Sequence, residues 1–374
     1  MLQDFHVILT ALLLFSGPIA GEPFSYRLAL PGHTFEFPRD HGSHDDFRTE
    51  WWYFTGHLEA GGRAFGYELT FFRMGLRDKV PANNPSKWAV KDLYFAHFAV
   101  TDINEQRFNY YERRGRSGVG TSGITEKPLK IWIGDWQMKG KFSGDQSDMK
   151  HAFVLQASGK DIELQLELSA LKPPVIQGRN GVSQKSEGRG QASHYYSLTR
   201  LETKGKLLAG GKRLNVKGLS WMDHEYGSNQ MSKEQVGWDW FSLQLEDDTE
   251  LMLYRMRRKD GKPDSFSSGT YVRPDGSKIH LDHRDFVLDS TGEWVSPHSK
   301  GTYPSGWRLK IGSLDLEIAV EPLMTDQELM TRESTQITYW EGAVSVNAKR
   351  KGKGIKGKGY VELTGYAGEL GGKF

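Results

Sequence analysis

The chain has 374 residues, so its length predicts about two domains and a core large enough to fold without covalent cross-links. It contains no cysteine, which excludes disulfides, cysteine-ligated metal clusters and thiol nucleophiles. The 49 basic and 47 acidic residues nearly balance, so the charge gives no support for binding of nucleic acid. The many aromatic and glycine residues, among them 11 Trp and 43 Gly, indicate an all-β protein with aromatic pockets.

The N-terminal segment has the features of an export signal. Val7–Phe15 is an apolar run, and the mostly small residues Ser16–Gly21 suit a cleavage site. The run is too short to cross a bilayer. The first six residues lack Lys and Arg, which departs from the usual pattern. We expect residues 1–21 to be a signal peptide and the mature protein to be periplasmic or secreted, the alternative being an apolar N-terminal strand.

Further along the chain, short alternating segments are separated by turn residues. Residues 51–58 and 63–73 flank two glycines and predict a hairpin, and residues 238–245 and 251–256 predict a second one. Many such strands are typical of an antiparallel sandwich or barrel. The polar, glycine-rich segment Gln177–Gly190 predicts a long mobile loop that could act as a lid.

Several common catalytic motifs are absent from the sequence. There is no nucleophile elbow of the form Gly-x-Ser-x-Gly, and no phosphate loop or dinucleotide fingerprint. His224-Glu225 begins a zinc-protease motif, but Ser228 stands where the second histidine is needed. One other group of metal-ligand types is close in sequence: His41, His44, Asp45 and Asp46. A loop pinned by these side chains is favoured over a metal site, so we expect neither a metal nor another cofactor.

Two pairs of residues are more suggestive of chemistry. His194 and Tyr196 are two apart in one strand-like segment, and Trp221 and Asp223 are two apart in another. Residues two apart on a strand share a face, so we expect the four side chains to converge if both strands line one barrel. An aspartate in such an aromatic pocket would have its pKa raised by burial and could act as a general acid. The competing interpretation is that Asp223 caps a turn and the aromatic rings fill a core.

The sequence resembles the AttH-type family, which is related to hydroxyneurosporene synthase, the carotenoid 1,2-hydratase. The resemblance extends over residues 35–370. The motifs that carry it are Glu50–Leu58, His194–Ser197, Ser220–Glu225, Tyr339–Ala343 and Gly359–Tyr366. It implies an all-β fold of two lipocalin-like antiparallel β-barrel domains, which we expect at residues 22–228 and 229–374, with a pocket near their junction.

The same resemblance implies catalytic roles for Asp223, His194, Tyr196 and Trp221. The aromatic types at 196 and 221 are exchanged relative to the hydratase pattern, which implies a pocket of different shape. We also expect three residues to line the ligand pocket: Trp52, His97 and His224.

The implied function is a hydratase- or isomerase-like enzyme that protonates an alkene in a hydrophobic isoprenoid or lipid-like ligand. Asp223 would donate the proton, the aromatic residues would stabilise the cation, and His194 would orient the acid or activate water. No cofactor is expected. The alternatives are a non-enzymatic lipid carrier and, ranked lowest, a secreted hydrolase. The expected partner is a hydrophobic small molecule, with peripheral membrane contact a further option.

Overall fold

The computed structural model describes residues 24–79, 84, 86, 88–145 and 148–370. Regular structure in these residues consists of strands and three short 3₁₀ helices, at Arg39–His41, Arg77–Lys79 and Gly312–Leu314. The predicted all-β class is therefore confirmed. The expected signal peptide lies outside the described residues, and none of the helices within them is long and apolar enough to cross a membrane.

The first half of the chain forms a single antiparallel sheet of 13 strands. These strands are β1 (Thr49–Ala60), β2 (Arg63–Gly75), β3 (Asp92–Asp102), β4 (Arg107–Arg116), β5 (Ser122–Glu126), β6 (Leu129–Ile133), β7 (Trp136–Ser143), β8 (Lys150–Ser158), β9 (Glu163–Ala170), β10 (Val175–Ile176), β11 (Ser183–Gln184), β12 (Ala192–Ala209) and β13 (Lys212–Asn229). Both predicted arms of the first hairpin are confirmed as β1 and β2.

The order of the strands curls this sheet into a nearly closed barrel. It runs β4-β3-β2-β1-β13-β12-β9-β8-β7-β6-β5, and the short strands β10 and β11 also pair with β12. The two edge strands approach each other where the Ser122 hydroxyl donates to the Arg116 carbonyl at 2.9 Å. Bringing the edges together shields edge backbone groups that an open sheet would expose.

The remaining strands form a second sheet and a small ribbon. They are β14 (Gln235–Leu245), β15 (Glu250–Arg258), β16 (Ser268–Val272), β17 (Lys278–Asp282), β18 (Val287–Ser290), β19 (Glu293–Val295), β20 (Thr302–Pro304), β21 (Trp307–Ile311), β22 (Leu316–Pro322), β23 (Glu328–Thr331), β24 (Ile337–Arg350) and β25 (Lys353–Thr364). Strands β19 and β20 pair only with each other, and the other ten form an antiparallel sheet in the order β17-β16-β15-β14-β25-β24-β22-β21-β18, with β23 beside β24. The hairpin of β14 and β15 confirms the second predicted hairpin.

Strands β1 and β13 have apolar or aromatic residues on both faces, because one face fills the barrel and the other meets the second sheet. Trp52 and Met222 belong to the barrel core. Tyr53 and Trp221, one residue away in each strand, pack in a separate cluster with Trp240 of the second sheet. In the central part of these strands, this two-residue alternation places side chains in turn in the barrel interior and at the junction between the sheets.

The segment Gln177–Gly190 is packed rather than a free loop, contrary to the prediction. Its residues 183–184 form β11 against β12, and the side chains of Gln177, Ser183 and Lys185 are buried. The Gln177 amide donates to the Ser197 hydroxyl at 2.8 Å. The sequence suggested mobility because it is polar and rich in glycine, but its polar side chains find buried partners.

Candidate active site

A cavity of about 380 Å³ lies between the two sheets, within the size range of pockets that bind small organic molecules. Its walls come from the outer face of β1, β2, β3, β12 and β13 and from the facing strands β14, β15, β24 and β25. The lining includes nine aromatic residues: Trp51, Tyr53, Phe72, Phe95, Tyr195, Trp238, Trp240, Tyr254 and Tyr339.

Asp223 of β13 lies in the wall of this cavity, and the residue is only 3% exposed. Three donors converge on its carboxyl group. The Tyr195 hydroxyl donates to Oδ2 at 2.6 Å, and the Ser197 hydroxyl and the Trp221 indole donate to Oδ1 at 2.5 and 2.7 Å. Because Asp223 lies in the middle of a strand, the interpretation that it caps a turn is wrong.

Burial raises the pKa of Asp223 to about 7. The hydrogen bonds from Ser197, Tyr195 and Trp221 act against this shift, and the nearby Glu225 charge adds to it. The carboxyl group is thus poised to hold a proton near neutrality, and its conjugate base has three donors already in place. This combination suits a general acid.

The predicted convergence of four side chains does not hold, because His194 and Tyr196 lie on the other face of β12. Across the β12–β13 pair, Ser197 is opposite Asp223, whereas Tyr196 is opposite His224. Directly opposite residues of antiparallel strands share a face, so Tyr196 points into the barrel. His194 lies there too, with Nδ1 2.7 Å from the Gly181 carbonyl oxygen.

Of the three residues expected in the ligand pocket, only His97 lines the cavity. Its two ring nitrogens lie 2.7 Å from the Tyr339 hydroxyl and 2.9 Å from the Ser334 hydroxyl, and burial lowers its pKa to about 3. Trp52 and His224 stack on each other inside the first barrel, with ring centroids 4.6 Å apart. They occupy even positions of β1 and β13, which face away from the second sheet.

Sequence reasoning missed Tyr195, Ser197 and Trp240. Tyr195 and Ser197 lie on either side of Tyr196 in the chain. On β12 these odd-numbered residues face the cavity, whereas the even-numbered residues His194 and Tyr196 had been predicted to do so. Trp240 donates through Nε1 to the Tyr195 hydroxyl at 3.1 Å and closes the cavity from the second sheet. Trp221 donates to Asp223 but is not part of the cavity lining, so Trp240 and Tyr53 take its expected place beside a ligand.

The sequence profile of the AttH-like family matches residues 28–366. The chain belongs to this family. A crystal structure of an AttH protein from Nitrosomonas europaea is 32% identical in sequence and superimposes with a TM-score of 0.78, covering 91% of this chain and 99% of that one.

Two further solved structures share the AttH-like fold at low identity. Kievitone hydratase from Nectria haematococca is 17% identical, with a TM-score of 0.65 over 92% of this chain and 98% of its own. CghA is 12% identical, with a TM-score of 0.54 over 92% of this chain and 97% of its own. No curated protein matches the sequence significantly. These likenesses agree with the predicted pair of antiparallel barrels.

The histidine-rich segment of this AttH-like protein does not gather the four residues considered as metal ligands. Asp45 and Asp46 form ion pairs with Arg77 and Arg27, away from the buried His41 and His44. Within the described residues, one other group could hold a metal ion: His44, Glu50 and His224.

The contacts of Glu50 argue against that use. Arg73 donates through Nε to Glu50 at 3.0 Å, so the carboxylate already has a buried cation beside it. Burial disfavours the protonated form of His44, but hydrogen bonds to Asp40 and Glu50 outweigh this and raise its pKa. Both ring nitrogens of His44 are already engaged, Nδ1 at 2.8 Å from Glu50 and Nε2 at 3.2 Å from Asp40, so these groups fit a hydrogen-bonded network better than a metal centre.

Proposed function

We propose that this AttH-like protein is an enzyme of the hydratase or isomerase type that transfers a proton from Asp223 to a carbon–carbon double bond. The observation that carries the proposal is the position of Asp223: a buried carboxyl group that faces an aromatic cavity and has a pKa of about 7. The ligand is a hydrophobic small molecule of isoprenoid or lipid-like character, in keeping with the aromatic lining.

In the proposed reaction, the π electrons of the alkene take the proton of Asp223 and form a new C–H bond. The neighbouring carbon becomes cationic, and Asp223 becomes a carboxylate that accepts hydrogen bonds from Tyr195, Ser197 and Trp221. The faces of Tyr53 and Trp240 favour positive charge on the ligand. Water then adds to the cation and loses a proton, which gives an alcohol, or an adjacent C–H bond loses its proton, which gives an isomer; in either case the proton returns to the Asp223 carboxylate and restores the acid.

The relatives support this proposal without deciding it. Kievitone hydratase, whose name describes addition of water, shares the fold over almost its whole length. Export to the periplasm or secretion is proposed on the apolar run Val7–Phe15. A lipid carrier is the second candidate, because the same aromatic cavity would bind a hydrophobic ligand without turning it over.

The test compares Asp223→Asn with His194→Gln. Kievitone, geraniol and neurosporene are incubated with each protein in isotope-labelled water, and mass spectrometry detects labelled oxygen or hydrogen in the product. We expect Asp223→Asn to lose about 10²–10⁴ in rate, because the amide delivers no proton of useful acidity. His194→Gln should keep the wild-type rate, since His194 lies on the opposite face of β12.

Thermal melts of both variants show whether the protein remains folded. A folded Asp223→Asn protein with the wild-type rate would contradict the assignment of the acid. Tight binding of these compounds with no labelled product from the wild-type protein would favour the carrier.

A further inference from the structure

Two further acidic side chains, one buried and one half-buried, face the same cavity from the second sheet. Glu341 of β24 and Glu362 of β25 line the cavity and are directly opposite each other in the strand pairing. The Tyr53 hydroxyl donates to Oε1 of Glu341 at 2.6 Å, and the Trp238 indole donates to Oε1 of Glu362 at 2.6 Å. Side chains in such a pair have Cβ atoms about 5 Å apart, so the two carboxyl groups are close neighbours.

Neither of these glutamates has a cationic partner among the residues that the structure describes. Oε2 of Glu341 is buried and, within the described part of the chain, accepts no hydrogen bond. The cations that line the cavity are engaged elsewhere. Lys185 pairs with Glu225 at 3.0 Å, and Arg73 pairs with Glu50 at 3.0 Å.

Two acids without a counter-ion are unfavourable when they are ionised together. Burial raises the pKa of Glu362 to about 7, and burial followed by the charges of Glu362 and Glu68 raises the pKa of Glu341 well above its usual range. Like charges directly opposite on neighbouring strands also destabilise a sheet. A pair of acids that breaks this rule at a cavity, with no cation beside it in the described part of the chain, is typical of a binding site.

Aromatic rings stand beside these carboxyl groups. The rings of Tyr53 and Trp240 meet edge to face, with centroids 5.1 Å apart and planes at 83°. Both rings line the cavity. Aromatic faces attract a cation within about 6 Å of the ring centroid, most strongly when water is excluded. The rings and the carboxyl groups at this end of the cavity thus both favour a positively charged ligand.

We infer that Glu341 and Glu362, together with the rings of Tyr53 and Trp240, form a subsite for an organic cation. The inference rests on the proposed function, because the cation it would hold is the centre that forms on the ligand when Asp223 gives up its proton. The stable chemical analogue of that centre is a quaternary ammonium group. Tyr53 is directly opposite Asp223 in the pairing of β1 with β13, so the subsite adjoins the acid and the carbon next to the protonated one would become cationic beside it.

The binding test uses two probes of nearly equal shape, phenyltrimethylammonium and its neutral isostere tert-butylbenzene. Calorimetry of the wild-type protein should show that the ammonium compound binds about tenfold more tightly or better, as desolvated cation–π contacts and a carboxylate predict. Glu341→Gln and Glu362→Gln should lose most of this preference while still binding tert-butylbenzene. Asp223→Asn is the matched control, since it removes a cavity acid on the other wall and should keep the preference.

Proton release gives a readout that a structural role of Glu362 would not produce. A permanent positive charge favours the ionised form of Glu362, so binding should release protons and should tighten as the pH rises through about 7. The other groups whose charges act on this site are Asp223 and Glu225 of β13, Glu68 of β2 and Glu341 of β24, and Lys185 is paired with Glu225. Calorimetry in two buffers of different ionisation enthalpy should detect the released protons in Asp223→Asn, and fewer of them when this variant also carries Glu362→Gln.

The outcomes separate this subsite from the proposed reaction. Equal affinity of the wild-type protein for the two probes would overturn the subsite, and this measurement needs no variant that must fold. A preference that disappears in Asp223→Asn and persists in Glu362→Gln would also overturn it. Selective ammonium binding without turnover of any alkene would support the subsite and count against alkene protonation.

Discussion

Two opposing influences set the pKa of the Asp223 carboxyl group. Burial favours the neutral acid, whereas three hydrogen-bond donors favour the carboxylate, and burial is the larger of the two. A general acid needs both, because it must hold its proton before the reaction and be stable without it afterwards. Each donor therefore tunes the pH at which the acid is available.

Replacing Tyr195 by Phe removes the donor to Oδ2 and keeps the ring. Because the carboxylate loses a stabilising hydrogen bond, the pKa of Asp223 should rise further above 7, and the proton should remain bound at higher pH. Because a hydrogen bond to a charged acceptor is lost, the alkaline limb of the pH–rate profile should move up by about one to two pH units. The measurement is the pH dependence of kcat/KM on any alkene that the wild-type protein turns over.

Tyr196→Phe is the matched control for this shift. It removes a hydroxyl from the neighbouring residue, whose hydroxyl oxygen lies 2.6 Å from Nδ1 of His41 on the barrel side of β12. The alkaline limb should stay where it is in the wild-type protein. A limb that moves in Tyr196→Phe and not in Tyr195→Phe would place the titrating acid inside the barrel and contradict the role of Asp223.

At the scale of the strands, the sequence predicts the elements better than it predicts how they face each other. The hairpins 51–73 and 238–256 follow from alternation and turn residues, which are local properties. The phase of β12 relative to β13 is not local. It depends on which residue is opposite Asp223, and bulges between Ala192 and Ser193 and between Leu198 and Leu201 shift that pairing along the strand. A shift of one residue in this pairing decides whether Tyr195 or Tyr196 faces the cavity.

The acids Glu341 and Glu362 could not be recognised from the sequence for the same reason. They are 21 positions apart in the chain, and each reads as the polar position of an alternating strand. Only the pairing of β24 with β25, and the contacts of β25 with β1 and of β24 with β2, show that both line the junction between the sheets.

Close contact between β2 and the second sheet depends on a residue without a side chain. A Cβ atom at Gly66 would lie 2.6 Å from the Cβ of Ala343 and 2.6 Å from the hydroxyl of Tyr360. Gly66→Ala should therefore push the two sheets apart and lower the free energy of unfolding by about 1–3 kcal/mol. It should also weaken ligand binding, since the cavity walls belong to both sheets.

Chemical denaturation of Gly66→Ala and of Gly354→Ala provides the comparison. Gly354 lies on β25, and no atom lies within 4 Å of the place that a Cβ atom would take there, so an alanine should be tolerated. Equal stability of the two variants would mean that the sheets can separate at Gly66 without loss. That result would contradict a tightly fitted junction.

Over the whole molecule, two kinds of buried titratable group respond to pH in opposite directions. Burial lowers the pKa of His57, His151 and His194 to about 4, and that of His97 to about 3. These histidines favour the folded state above pH 6.5 and lose that contribution as the pH falls towards 4. Asp223 and Glu362, with pKa values raised to about 7, favour the folded state below about pH 4 and lose that contribution as the pH rises to 7.

Removing one of the acids should therefore make the protein more sensitive to acidification. Between pH 7 and pH 5 the free energy of unfolding of the wild-type protein changes by the sum of these opposing contributions. In Asp223→Asn the change in the free energy of unfolding from pH 7 to pH 5 should be about 2 kcal/mol less favourable than in the wild-type protein. The reason is that asparagine cannot take up the proton that stabilises the folded wild-type protein over that interval. Urea unfolding at the two pH values measures both slopes, and His151→Gln, which removes a barrel histidine, should change the slope in the opposite direction. Identical slopes for the wild-type protein and Asp223→Asn would mean that the carboxyl group titrates alike in the folded and unfolded chains, which its burial in the cavity wall does not allow.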